Sequence, residues 1–106
     1  MAWMFLLAAG LLEIVWSFTM KLSHGFTRGT PTAVTVLVML ASFALLSISM
    51  KTLPLGTAYT VWTGIGAVGA FVIGIVALGE PLTIARLCAA ALIVSGLIMM
   101  KLTAPA

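Results

Sequence analysis

Residues 29–50 and 52–79 of this chain contain no charged residue, residues 1–20 contain only Glu13, and residues 87–100 contain none between Arg86 and Lys101. A helix needs about 20 apolar residues to cross the hydrocarbon core of a bilayer. The first three runs are long enough as they stand. The fourth reaches that length if Arg86 and Lys101 snorkel to the interface and the helix begins near Thr83, just after Pro81. The segments between the runs are short and carry helix-ending residues: Gly25 and Gly29, then Pro54 and Gly56, then Gly79 and Pro81. The sequence therefore predicts an all-α integral membrane protein, a single domain over residues 1–106 with four transmembrane helices at about 2–20, 30–50, 57–78 and 83–102.

Composition closes the competing classes. Hydrophobic residues make up 63% of the chain and charged residues 7%, against roughly 25% charged residues in a soluble domain. Helices of a soluble bundle need polar outer faces that these runs lack. A cleavable signal peptide is not expected from the first run, which has no basic leader and carries Glu13 within its apolar stretch. Asp, Asn and Gln are absent, so hydrogen-bonding and ligating groups come from a very short list. One cysteine, Cys88, one histidine, His24, and two separated glutamates do not compose an ordinary zinc or calcium site within one chain. No enzyme activity, cofactor, metal or nucleic-acid partner is expected. Gly64, Gly66 and Gly69 spell G-x-G-x-x-G, but without the strand and βαβ context of a dinucleotide site; close helix packing or a bend is the reading for these glycines.

With four spans, Lys51 and Lys101 lie on one side of the membrane and Lys21, Arg28 and Arg86 on the other. Two against three is a very weak bias under the positive-inside rule. Dual topology, with opposite copies pairing as an antiparallel homodimer, is the expectation. Many transporters obtain alternating access from inverted repeats, this chain shows no internal duplication, and an opposite copy would supply the missing repeat. Ala89 and Gly96, two turns apart on the fourth helix, are the candidate small residues for close dimer packing.

Glu13 is the residue that speaks most directly to function. A carboxylate at mid-span costs a few kcal/mol on insertion scales. Gly10, Glu13, Trp16 or Ser17, and Met20 share one helical face, so an aromatic ring stands one turn from the acid. A lone carboxylate binds a proton or an organic cation, and protonation removes the charge that attracts the cation. Competition for one site is already an exchange mechanism. The third run adds Tyr59, Trp62 or Thr63, and Gly66 on one face, and aromatic faces attract cations by about 0.5–2 kcal/mol. Ser42 offers a hydroxyl from the second run. Glu80, beside Pro81, reads as a solvated helix-end charge, and Trp3 as an interfacial aromatic.

Over the whole chain, Glu13 in the first span, Lys51-Thr-Leu-Pro-Leu-Gly-Thr-Ala-Tyr59 and Trp62-Thr-Gly-Ile-Gly66 together resemble the small multidrug resistance transporters. Gly10-Leu-Leu-Glu13-Ile-Val-Trp16, the His24-Gly-Phe segment and Trp62-Thr-Gly resemble the guanidinium-exporter subtype of that family. The resemblance implies a proton-coupled antiporter of the inner membrane that exports guanidinium and related small cations. It also implies an antiparallel homodimer in membrane lipid, with Glu13 as the proton and substrate carboxylate. By the same resemblance, Trp16, Ser42, Tyr59 and Trp62 line or organise the site, with Gly10 and Thr63 beside them. Lys101 matches a basic position of the subtype without a physical reason to place it in the pocket.

Guanidinium suits such a site chemically, since it is planar, bonds carboxylates in a bidentate fork and stacks on aromatic rings. A small quaternary ammonium cation remains an admissible substrate. A cation channel needs a more continuous polar lining than this chain offers, and a small membrane subunit without transport of its own would tolerate loss of Glu13. The charge balance makes a direct prediction: reporters of cytoplasmic and periplasmic location fused to the C-terminus both give signal from one expressed gene, and adding basic residues to the Lys51 connector drives the population to a single orientation.

Overall fold

The computed structural model of the chain describes residues 1–104; Pro105 and Ala106, part of the expected 1–106 domain, lie outside the described residues. It contains α1 (Ala2–Leu22), α2 (Gly29–Ser49), α3 (Leu55–Leu78) and α4 (Ile84–Leu102). All four are long and apolar enough to cross a membrane. The chain is thus an all-helical protein built from four membrane-spanning segments. The second and third helices begin at Gly29 and Leu55, ahead of the expected 30 and 57, because Arg28 and Pro54 in extended conformation serve as their N-caps. Proline fixes its own φ and pushes its predecessor out of helical space, so a helix starts readily on the residue that follows it.

Each connector closes by hydrogen bonds that satisfy the exposed helix ends. Ser23 is fully buried and organises the first. Its hydroxyl donates to the Met20 carbonyl at 2.6 Å and accepts from the Phe26 N–H at 3.0 Å, while its carbonyl accepts from the Thr27 and Arg28 amides at 2.9 and 3.0 Å. His24, Gly25 and Phe26 all take positive φ, at 50°, 73° and 65°. α3 ends on Gly79 in the left-handed conformation, with the Glu80 amide turned back to the Gly74 carbonyl at 3.0 Å, a glycine helix stop of the Schellman type. α4 starts on Thr83, whose hydroxyl accepts from the Arg86 amide at 3.2 Å.

α1 packs against both α2 and α3, α3 also carries α4, and α4 makes backbone approach to α3 alone. The helices therefore lie in the lateral order α2, α1, α3, α4, as a slab with principal extents of 42 × 35 × 16 Å. The described core, Leu6, Ala9, Leu46, Leu53, Ala58, Val61 and Trp62, gathers where α1 and α3 begin and α2 ends. At the opposite end α1 and α2 are joined by hydroxyls: Thr19 and Thr35 Oγ1 lie 2.6 Å apart, and Thr35 also lies 2.7 Å from the Pro31 carbonyl. No residue of α4 is buried.

Lipid tails are as apolar as leucine, so helix pairs in a membrane hold together by close packing and hydrogen bonds rather than by hydrophobic exclusion. The glycines provide the close packing. A Cβ at Gly64 would overlap Leu97, at Gly69 Ile14, at Gly66 the Glu13 carboxyl, and at Gly10 the Ile65 side chain. Three of these contacts join α1 to α3, and α3 itself runs as one uninterrupted helix. Replacing Gly69 by leucine forces a side chain into the space of Ile14 and is expected to cost about 1–3 kcal/mol, read as a lower midpoint of thermal unfolding in micelles. Gly56→Ala, where an added Cβ meets nothing, leaves that midpoint within a degree or two of the parent.

Candidate functional site

Glu13 lies near the middle of α1 with its side chain against α3, at the level of Gly66. The absence of a side chain at Gly66 makes room for the carboxyl. Oε1 of Glu13 is buried and has no protein hydrogen-bond partner among the described residues. The basic residues cluster at or beyond the helix ends, so no cation among the described residues shares its depth: Lys21 and Lys101 stand in the last turns of α1 and α4, and Arg86 in the first turn of α4. An ionised carboxylate held without a partner in a low-dielectric setting is costly, and a proton or a cation at the oxygen would relieve that cost.

About one helical turn below, close to 6 Å along α1, the three packed helices are tied together by one hydroxyl. Ser42 of α2, fully buried, donates to the Ala9 carbonyl of α1 at 2.7 Å and accepts from the Trp62 indole N–H of α3 at 3.0 Å. Ala9 stands four residues before Glu13, so its carbonyl is the one to which the Glu13 amide is directed within the helix. Ser42 thereby holds the backbone turn that presents the acid, and its bond from Trp62 fixes the orientation of the indole plane.

Aromatic rings continue outward from that tie. Trp62 and Tyr59 have centroids 5.7 Å apart, Trp62 and Phe43 5.8 Å, and Phe43 and Trp16 6.3 Å with planes at 76°, all within the range of favourable aromatic pairing. This ladder, Tyr59–Trp62–Phe43–Trp16, runs across α3, α2 and α1. Trp62 is buried while Tyr59 is 54% exposed. Nε1 of Trp16, like Oε1 of Glu13 one turn before it, is buried without a partner among the described residues.

The residues singled out in the sequence separate into groups. Trp16, Ser42, Tyr59 and Trp62 are joined through Phe43 and the Ser42 hydrogen bond, while Glu13, one turn before Trp16, lies against Gly66, and Gly10 is seated on Ile65. Thr63 is exposed. Gly64 and Gly69 serve helix contacts away from the carboxyl. Ala89 and Gly96 lie on the exposed surface of α4, and a Cβ at Gly96 would meet nothing within the chain. Lys101 reaches neither Glu13 nor the aromatic ladder: its Nζ sits 4.4 Å from the centroid of the Trp3 ring, linking the end of α4 to the start of α1. Phe43 escaped the sequence reading because it is one of several apolar residues along an uncharged run; its neighbour Ser42 was the available signal. The Ala9 carbonyl escaped it because backbone acceptors leave no mark in a sequence.

The sequence pattern of the Small Multidrug Resistance protein family matches residues 1–93. The chain belongs to the Small Multidrug Resistance family. Among its relatives, the guanidinium exporter of Salmonella typhimurium is 57% identical over 104 residues, covering 98% of this chain and 99% of that protein. The guanidinium exporter of Citrobacter freundii is 56% identical over 103 residues, covering 97% and 98%, and that of Yersinia pseudotuberculosis 54% over 102 residues, covering 96% and 98%. The resemblance drawn from the Glu13, Tyr59 and Trp62 motifs is borne out. Four apolar spans and membership of this exporter family make the chain a multi-pass protein of the bacterial inner membrane.

The Ser42 tie generates the next prediction. Ser42→Ala removes the bond to Ala9 and leaves the buried Trp62 N–H without an acceptor, a loss expected at about 1–3 kcal/mol. Trp62→Phe removes its own donor and leaves Ser42 bonded to Ala9, so its cost beyond lost packing is smaller. A double-mutant cycle on unfolding free energies in micelles should return a coupling of at least about 0.5 kcal/mol between the two positions.

Proposed function

We propose that this chain is a proton-coupled antiporter that exports guanidinium and related small guanidinyl cations across the inner membrane, working as an antiparallel, dual-topology homodimer. The observation that carries the reading is the buried Glu13 oxygen with no partner of its own among the described residues, held at mid-membrane beside a ladder of aromatic rings. The naming of the relatives as guanidinium exporters supports the substrate. The chemistry supports it as well. A carboxylate accepts two N–H groups of guanidinium in a planar fork, and the ring faces of Trp62 and Tyr59 suit its flat, weakly hydrated surfaces.

The exchange follows from occupancy of one group. With a proton on Glu13 the cation loses its counter-charge; with guanidinium bound the proton has no site. A proton arriving from the acidic exterior releases the cation there, and loss of the proton to the interior restores the carboxylate for the next cation. Trp16, Ser42, Tyr59 and Trp62 line or organise the site in this scheme, with Gly10 and Thr63 beside it. The homodimer reading is supported by the near balance of basic residues between the two ends and by α4, whose Ala89 and Gly96 offer a small-residue surface that the chain itself leaves uncovered. The family's description as multidrug resistance proteins favours one second reading, in which the same exchange carries quaternary ammonium cations.

Proteoliposomes holding only this chain test both. An imposed guanidinium gradient should drive opposite proton movement, measured with an enclosed pH-sensitive dye, and Glu13→Gln should abolish it. Guanidinium binding should weaken as pH falls, because the proton occupies the carboxylate, by up to about tenfold per pH unit where one proton is exchanged for one cation. Response to a tetraalkylammonium but not to guanidinium would assign the chain to the second reading. Silence towards both from folded dimer would leave a membrane subunit without transport of its own.

A further inference from the structure

Apart from the carboxylate site, the chain contains a second built feature. A cavity of about 490 Å³ opens between the last turns of α1, the second half of α3 and the first half of α4. Its walls are apolar and aromatic, with Phe18 from α1, Phe71 from α3, and Ala90 and Ile93 from α4. At its rim stand Lys21, in the last turn of α1, and Arg86, in the first turn of α4. Both lie at helix ends on the same side of the slab and hence at the level of the membrane–water boundary. The Arg86 guanidinium is held at 5.6 Å from the centroid of Phe71, so the charge is poised over the aromatic wall. Glu80 also lines the cavity, its carboxyl lying against Gly74 of the same wall, so the groove carries two cations and one carboxylate.

We propose that this groove is a binding site for an anionic phospholipid, with Lys21 and Arg86 receiving the phosphate and the Phe18, Phe71 and Ala90 walls receiving the upper part of an acyl chain. Two cations beside an apolar slot at interfacial depth match the division of such a lipid into a charged head and apolar tails. The site lacks complementarity to an organic cation, since its charges are positive on balance. Ala89 marks the border of the groove, which places the lipid beside the α4 surface proposed for pairing and makes a second copy the competing occupant.

Native mass spectrometry of the purified full chain, exchanged into micelles containing equal amounts of phosphatidylglycerol and phosphatidylcholine, tests the proposal. Phosphatidylglycerol should be retained in preference. Lys21→Gln and Arg86→Gln should each lower that preference about fivefold, and the double variant should abolish it. Ala90→Trp, which fills the slot without altering charge, should lose the lipid as well, while Lys51→Gln at the far end should retain it; circular dichroism verifies that each variant is folded. Equal retention of both lipids by the parent, or a preference untouched by the double variant and by Ala90→Trp, would overturn the site. Dissociation of the dimer by Ala90→Trp from a parent that retains no lipid would instead assign the groove to a second copy. These readouts measure lipid binding and are independent of whether guanidinium is transported.

Discussion

Within a bilayer, backbone polar groups must be satisfied inside each helix, and no exclusion of water presses one apolar helix against another. What joins such helices must come from close approach or from a side chain with a hydrogen bond to spare. Ser42 supplies that bond here. One hydroxyl donates to α1 and accepts from α3 while belonging to α2, so the relative placement of three helices rests on an atom that can satisfy both neighbours at once. Around it gather the buried residues Ala9, Leu46, Ala58 and Trp62. The acid lies one turn above, on the same stretch of α1 that Ser42 restrains.

Glycine completes what the hydroxyl begins. α3 meets α1 through Gly66 and Gly69 and meets α4 through Gly64, so a single helix presents a smooth side to one neighbour and a notch to the other. The G-x-G-x-x-G spacing that imitates a nucleotide-binding turn is in this chain a helix-contact pattern: its middle glycine yields its side-chain volume to the Glu13 carboxyl.

The sequence made the helices legible because a charge-free run of twenty or more residues has few other structural outcomes in water or lipid. It made Glu13 legible because an ionisable group within such a run stands out against its surroundings. The remainder was harder to read for stateable reasons. The start of α3 at Leu55 depended on Pro54 acting as a cap rather than as part of a loop. The role of Ser42 depended on a backbone carbonyl of another helix, and that of Phe43 on the rotation of α2, which weak amphipathicity leaves unmarked. Trp62 read as an aromatic wall; that its N–H is already committed to Ser42 follows only from the packing.

The seating of Glu13 and Ile14 on Gly66 and Gly69 bears on how such a molecule can move. If α3 slid along α1 by one turn, Ala70 or Trp62 would stand where Gly66 now accommodates the carboxyl, and the notch for Ile14 would be lost in the same step. The two helices are keyed like a tenon in its mortise, and translation of one past the other is sterically barred. Sliding of α3 past α1 is therefore not a motion open to this helix pair, and the carboxylate keeps its place against Gly66 as long as the two helices stay keyed.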